Sequence, residues 1–205
     1  MLTIALPKGR IAEQTLEIFE KIFGDSFNFN DRELILRTED FTFLLVRNQD
    51  VPTYVNYQAA DLGVVGLDVL EEQGLDVIRL LDLQIGKCKV AIGMKKGETI
   101  DYSRPELKVA TKMVNIAERF FAERAVSADI IKLYGSIELA PIVGLADMIV
   151  DIVETGTTMK QNGLEVVEEI MDSSAYLIAN KNSFFQKKED ILKLYEQIDK
   201  VVRES

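Results

Sequence analysis

The chain has 205 residues, with 34 Asp and Glu against 24 Lys and Arg, one Cys, no His and a formal net charge of −10. With Cys88 alone and no His, a zinc site of His and Cys, a Ser–His–Asp triad and a disulfide framework are all excluded. The acidic balance argues against nucleic-acid binding, which needs phosphate-neutralising cations. No apolar run approaches the length of about 18 residues that a membrane span requires, and the opening run, Leu2 to Leu6, is too short for a signal-peptide core. The expectation is a cytoplasmic protein.

Leu2 to Leu6 predicts a strand, followed by Lys8-Gly9-Arg10 and a helix with Ile11, Leu16, Ile18, Phe19 and Ile22 on one face, stopped by Gly24. Leu34 to Arg37 and Phe41 to Arg47 predict two strands around a Glu39-Asp40 turn. Asp50-Val51-Pro52 reads as a capped helix start. Leu62 to Gly66 predicts a buried strand, with Asp68 opening and Gly74 closing the next helix. Val77 to Leu81 and Cys88 to Met94 complete the first half.

The second half repeats the rhythm. Strands are expected at Leu107 to Ala110, Ile130 to Leu133 and Met148 to Val153, with helices at Asn115 to Arg124 and Ile137 to Leu145. Glu165 to Met171 fits a strand or a helix, and Tyr176 to Ala179 fits a strand. A final amphipathic helix carries Ile191, Leu194, Tyr195, Ile198, Val201 and Val202. Strands alternating with helices imply an α/β protein with largely parallel sheets, broken in composition at Gly93 to Glu98.

Candidate chemistry concentrates in Asp151-Ile152-Val153-Glu154-Thr155-Gly156-Thr157-Thr158. Ligands of open α/β sheets bind beyond the carboxyl ends of the strands. A Thr-Gly-Thr-Thr loop there can wrap a phosphate with amides and hydroxyls. Asp151 and Glu154, repelled by a phosphate, would accept hydrogen bonds from sugar hydroxyls one ring away. The pattern also fits a plain turn with solvated charges. Lys8-Gly9-Arg10 offers two cations at a strand-to-helix turn, suited to a polyphosphate or to a solvated surface. Gly63 and Gly66 serve either ligand approach or packing, and Arg47 is a further cation at a strand end.

Taken in order, these segments resemble the short form of the ATP phosphoribosyltransferase family over nearly the whole chain. The resemblance rests on IALPKGRI, DVPTYV (from Asp50), AADLGVVGLDVL (from Ala59), KVAT (from Lys108), LYGSIELAPIVGLADMIVDIVETGTTMKQNGL (from Leu133) and SSAYLIANK (from Ser173). It implies transfer of the 5-phosphoribosyl group of 5-phosphoribosyl-1-pyrophosphate (PRPP) to ring nitrogen 1 of ATP, giving phosphoribosyl-ATP and pyrophosphate, the first step of L-histidine biosynthesis. It also implies an α/β fold of two lobes resembling type II periplasmic binding proteins, with the active site in the interlobe cleft. The expected boundaries are residues 1–92 plus 180–205 for lobe I and 93–179 for lobe II. PRPP would be held by Asp151, Glu154, Thr155, Gly156, Thr157 and Thr158, and ATP or pyrophosphate by Lys8, Gly9, Arg10 and Arg47. Mg²⁺ would bridge substrate phosphates and water without a protein cage. Glu138 keeps a family position without a specified role.

Where the family pattern leads one to expect Tyr-Pro-Asn, the chain has Met113-Val114-Asn115. The length leaves no room for the regulatory domain of long-form enzymes. The resemblance therefore implies a regulatory subunit resembling histidyl-tRNA synthetase, around a catalytic dimer within a hetero-oligomer. The competing readings are a two-lobe ligand-binding module without catalysis, which leaves the Thr-Gly-Thr-Thr loop without a purpose, and a scaffold subunit.

Overall fold

The structure, a computed structural model, describes residues 1–30 and 32–204. Along the chain run β1 (Leu2–Pro7), α1 (Arg10–Phe23), β2 (Ile35–Arg37), β3 (Phe41–Val46), α2 (Val51–Asn56), β4 (Leu62–Gly66), α3 (Leu67–Gln73) and β5 (Ile78–Asp82). There follow β6 (Cys88–Lys95), β7 (Leu107–Thr111), α4 (Val114–Glu123), β8 (Ala128–Lys132), α5 (Leu139–Ile142), β9 (Met148–Val153), α6 (Thr157–Gln161) and β10 (Leu164–Ser173). The chain closes with β11 (Ala175–Ala179), α7 (Lys181–Gln186) and α8 (Lys188–Glu204).

Two compact units result, Met1–Gly86 with Ser174–Ser205, and Lys87–Ser173. The first holds a six-stranded sheet in the order β2-β3-β1-β4-β11-β5, the second a five-stranded sheet in the order β10-β6-β9-β7-β8. Both crossings come earlier in the chain than residues 92 and 179. All of β6 pairs with β9 and β10, and all of β11 pairs with β4 and β5, so each strand belongs to the unit it enters. Gly93 therefore lies inside a strand, where composition alone suggests a break.

The sheets are mixed rather than largely parallel. β1 runs parallel to β3 and β4, and β7 parallel to β8 and β9. The two strands that follow the crossings enter antiparallel to their neighbours, and β2 forms a hairpin with β3. A strand's direction relative to its partners is a long-range property that local apolar runs do not encode.

In the first unit α1 lays Ala12, Thr15, Leu16, Ile18 and Phe19 on the sheet. Gly24, at φ 75°, ends it, its amide bonded to Glu20 O at 2.8 Å. Phe19 is fully buried, and its ring packs on Phe27, Phe41 and Phe43 at centroid distances of 6.1, 5.3 and 5.1 Å. Burying each such ring stabilises by about 1.5–3 kcal/mol. Asp61, also buried, accepts the Thr3 amide at 2.9 Å and the Lys187 ammonium at 2.8 Å, tying the α7–α8 junction to β1.

Several helix starts differ from expectation. A 3-10 turn over Asn48–Asp50 runs straight into α2, so Asp50 is itself helical and makes no side-chain cap. Gly66 occupies the N-cap of α3, leaving Asp68 buried in the first turn. α7 is unforeseen, though Asn180 is a regular cap, its side chain accepting the Ser183 amide at 3.0 Å. The segment open to helix or strand is the strand β10.

Candidate functional site

In the second unit β9 carries Asp151 and leaves the sheet at Val153. Gly156, at φ 74° and ψ 3°, turns the chain into α6 with a backbone that disfavours a side chain. The helix begins at Thr157, so the expected four-residue loop is a tighter turn. The hydroxyls of Thr155 and Thr157 lie 2.8 Å apart, and the Thr157 amide points to Thr155 Oγ1 at 3.4 Å. From below, the turn is anchored by Met159, which is 4% exposed and packs among Ala110, Ile137, Ile149 and Leu164. A recess of about 270 Å³ is lined by Glu138, Asp151, Glu154 and the Thr155–Thr158 turn.

Asp151 is the most constrained acid here. Burial pushes its carboxyl above the ordinary range, Lys112 opposes that shift, and Glu138 adds to it. The Lys112 ammonium lies 3.6 Å from Asp151 Oδ1. Nothing adjacent in the sequence marks Lys112 as a partner of Asp151. Thirty-odd residues separate it from Asp151, and only the parallel register, with Thr111 opposite Val150, sets the two side by side.

The first unit gathers the other predicted residues at the carboxyl ends of β1 and β3. The Lys8 amide bonds to Val46 O at 3.0 Å, which places Lys8 beside Arg47. Gly9, at φ 99°, makes the turn into α1, and its carbonyl accepts the Ala12 and Glu13 amides at 3.0 and 3.3 Å. Lys8, Gly9, Arg10 and Arg47 are all exposed. These four thus form one group and Asp151, Glu154 and Thr155–Thr158 another, each on its own unit.

The second group offers amides and hydroxyls for an anion, with carboxylates alongside that accept hydroxyl donors. The first offers cations. Among the described residues no three Asp, Glu, Cys or His side chains come together to cage a metal ion, and no helix is long and apolar enough to cross a membrane.

The family model for ATP phosphoribosyltransferase matches residues 47–200. A relative from Sulfurimonas denitrificans, named ATP phosphoribosyltransferase, is 74% identical over 98% of this chain and 97% of its own. The chain belongs to the ATP phosphoribosyltransferase family. Another relative of the same name, from Wolinella succinogenes, is 68% identical over 98% of both chains. Among solved structures, the ATP phosphoribosyl transferase (HisG:HisZ) complex from Thermotoga maritima contains a chain that superimposes with a TM-score of 0.87 at 34% identity, covering all of both chains. The periplasmic aliphatic sulphonate binding protein of Escherichia coli matches with a TM-score of 0.63 at 13% identity, over 98% of this chain and 72% of its own. That second likeness is one of fold. It places this family member's α/β architecture with the periplasmic binding proteins, as the sequence resemblance implies.

Proposed function

We propose that the chain transfers the 5-phosphoribosyl group of PRPP to ring nitrogen 1 of ATP, releasing pyrophosphate, as the first step of histidine biosynthesis. The observation that carries this reading is the match along nearly the whole chain to relatives named for that activity. The recess of the second unit supports it. Thr155, Gly156, Thr157 and Thr158 take the 5-phosphate with hydroxyls and amides, each charge-assisted bond contributing about 1.5–3 kcal/mol. Asp151 and Glu154 accept the ribose hydroxyls. Lys8, Gly9, Arg10 and Arg47 serve ATP or pyrophosphate oxygens.

The nitrogen lone pair attacks the anomeric carbon as its bond to pyrophosphate breaks, through an oxocarbenium-like state and with inversion. Such a displacement needs alignment of two anionic substrates and neutralisation of the leaving group, more than a covalent or general-base residue. A chain without His is equal to that task. We infer that Mg²⁺ would enter with the substrates and would supply charge neutralisation at the pyrophosphate.

By analogy with the Thermotoga maritima HisG:HisZ complex, the chain assembles with a second, HisZ-type regulatory subunit; the family resemblance adds that this subunit resembles histidyl-tRNA synthetase and that the catalytic chains form a dimer. The place of work is the cytoplasm. An ultraviolet assay for phosphoribosyl-ATP, run with and without the second subunit, tests the reading. Product in either arm is expected, and its absence from both would overturn the assignment.

A further inference from the structure

One cation paired with a residue of the recess has no part in the assignments above. Lys112 follows β7 directly, and the turn that carries it is fixed by Thr111. The buried Thr111 hydroxyl donates to Val150 O at 2.6 Å and accepts the Met113 amide at 2.9 Å. Thr111 thereby links the end of β7 to β9 one residue before Asp151. The Lys112 ammonium then reaches Asp151 Oδ1 at 3.6 Å, and the Ile152 amide donates to the same oxygen at 2.8 Å. Both contacts fall on Oδ1. Asp151 is itself one of the residues that line the recess.

We propose that Lys112 is a positioning residue for donor-sugar binding: with the Ile152 amide, its ammonium fixes the Asp151 carboxylate in the orientation that meets the ribose hydroxyls. The inference rests on the donor-site reading above. The charged groups that face Asp151 are Lys112, after β7, and Glu138, before α5, while β6 places the uncharged Ala91 opposite it. Burial and Glu138 both favour a protonated Asp151, and Lys112 is the counterweight. A protonated Asp151 offers a donor where a sugar hydroxyl needs an acceptor. Lys112 is half-buried, its side chain 38% exposed against 16% for Asp151, so the desolvation cost falls mainly on the carboxylate and the ammonium partly offsets it.

The test is PRPP titration of the full chain by calorimetry, with Mg²⁺, from pH 5.5 to 8, on wild type, Lys112→Met, Lys112→Arg, Asp151→Asn and the Lys112→Met/Asp151→Asn double variant. Lys112→Met should bind more weakly than wild type, with a deficit that widens from pH 8 to pH 5.5 as Asp151 takes up a proton. Lys112→Arg, which keeps the charge, should restore the wild-type profile. On the Asp151→Asn background, Lys112→Met should add nothing. A deficit that is independent of pH and undiminished on the Asp151→Asn background would overturn the proposal, because Lys112 would then act on substrate or fold by itself. Unchanged PRPP affinity in Asp151→Asn alone would remove the donor-site reading and the role of Lys112 with it. Circular dichroism of each variant separates these results from unfolding.

Discussion

A Cβ built on Gly93 of β6 would lie 2.8 Å from the sulfur of Met159, so α6 rests on a strand position that has no side chain. Glycine inside a strand weakens it, and here the return is a close approach that seats the Thr155–Thr158 turn on the sheet. Gly93→Val should lower stability by about 1–3 kcal/mol through overpacking. It should also weaken PRPP more than ATP, because the displaced Met159 lifts the turn. Thermal unfolding with parallel titrations of both substrates checks this, and equal losses for the two would show that the strain spreads beyond the turn.

Thr157→Glu should abolish measurable PRPP binding while leaving the unfolding temperature within a few degrees of wild type. Thr157 is exposed at the first turn of α6, where an acidic residue suits the helix, yet its carboxylate would meet the sugar's phosphate. Calorimetric titration decides, and retained affinity would free the turn from the phosphate assignment.

Asp151→Asn should weaken PRPP much more than ATP and raise the stability of the free protein at neutral pH. The folded carboxyl titrates above its ordinary value of 3.8, chiefly through burial, so its ionised form costs stability at neutral pH. That cost disappears as pH falls through the folded value and the group takes up a proton. The gap in unfolding temperature between variant and wild type should therefore close on acidification, as a thermal series from pH 7 to pH 4 would reveal.

Asp61→Asn should have the opposite pH signature. Burial pushes this carboxyl up, but the Lys187 ammonium, the Thr3 amide and Ser183 outweigh it and leave it below 3.8. Its contribution is full above the ordinary carboxylate value and is lost as pH falls through the folded one. Because Lys187 is partly solvated, the expected loss at pH 7 is about 2–3 kcal/mol rather than the larger cost of breaking a fully buried pair. Denaturant titrations at pH 7 and pH 3 would measure it, with the two chains converging at the lower pH.

The order of strands and most helices was legible because amphipathic stripes such as that of α1 and apolar runs such as β4 are local. Gly24 and Gly74 could be read as helix stops because both hold the left-handed conformation that favours glycine. What escaped depends on contacts far apart in sequence. The antiparallel entry of β6 and β11 is decided by their partners, and the same pairing puts Gly93 in a strand. At the site, Asp151 and the Thr155–Thr158 turn stood out as one continuous segment. Lys112 did not, since nothing near it in sequence announces a carboxylate.

The placement of β11 between β4 and β5 sets the order in which a ribosome can complete this molecule. Residues 87–173 form an uninterrupted stretch with its own sheet, ready to close as soon as it emerges. Among the described residues β5 has no strand neighbour other than β11, so it must wait unpaired while the whole middle of the polypeptide is synthesised. The earliest-made part of the protein is thus the last to be finished, and the nascent chain carries an open strand edge, a site for wrong pairing, through that interval.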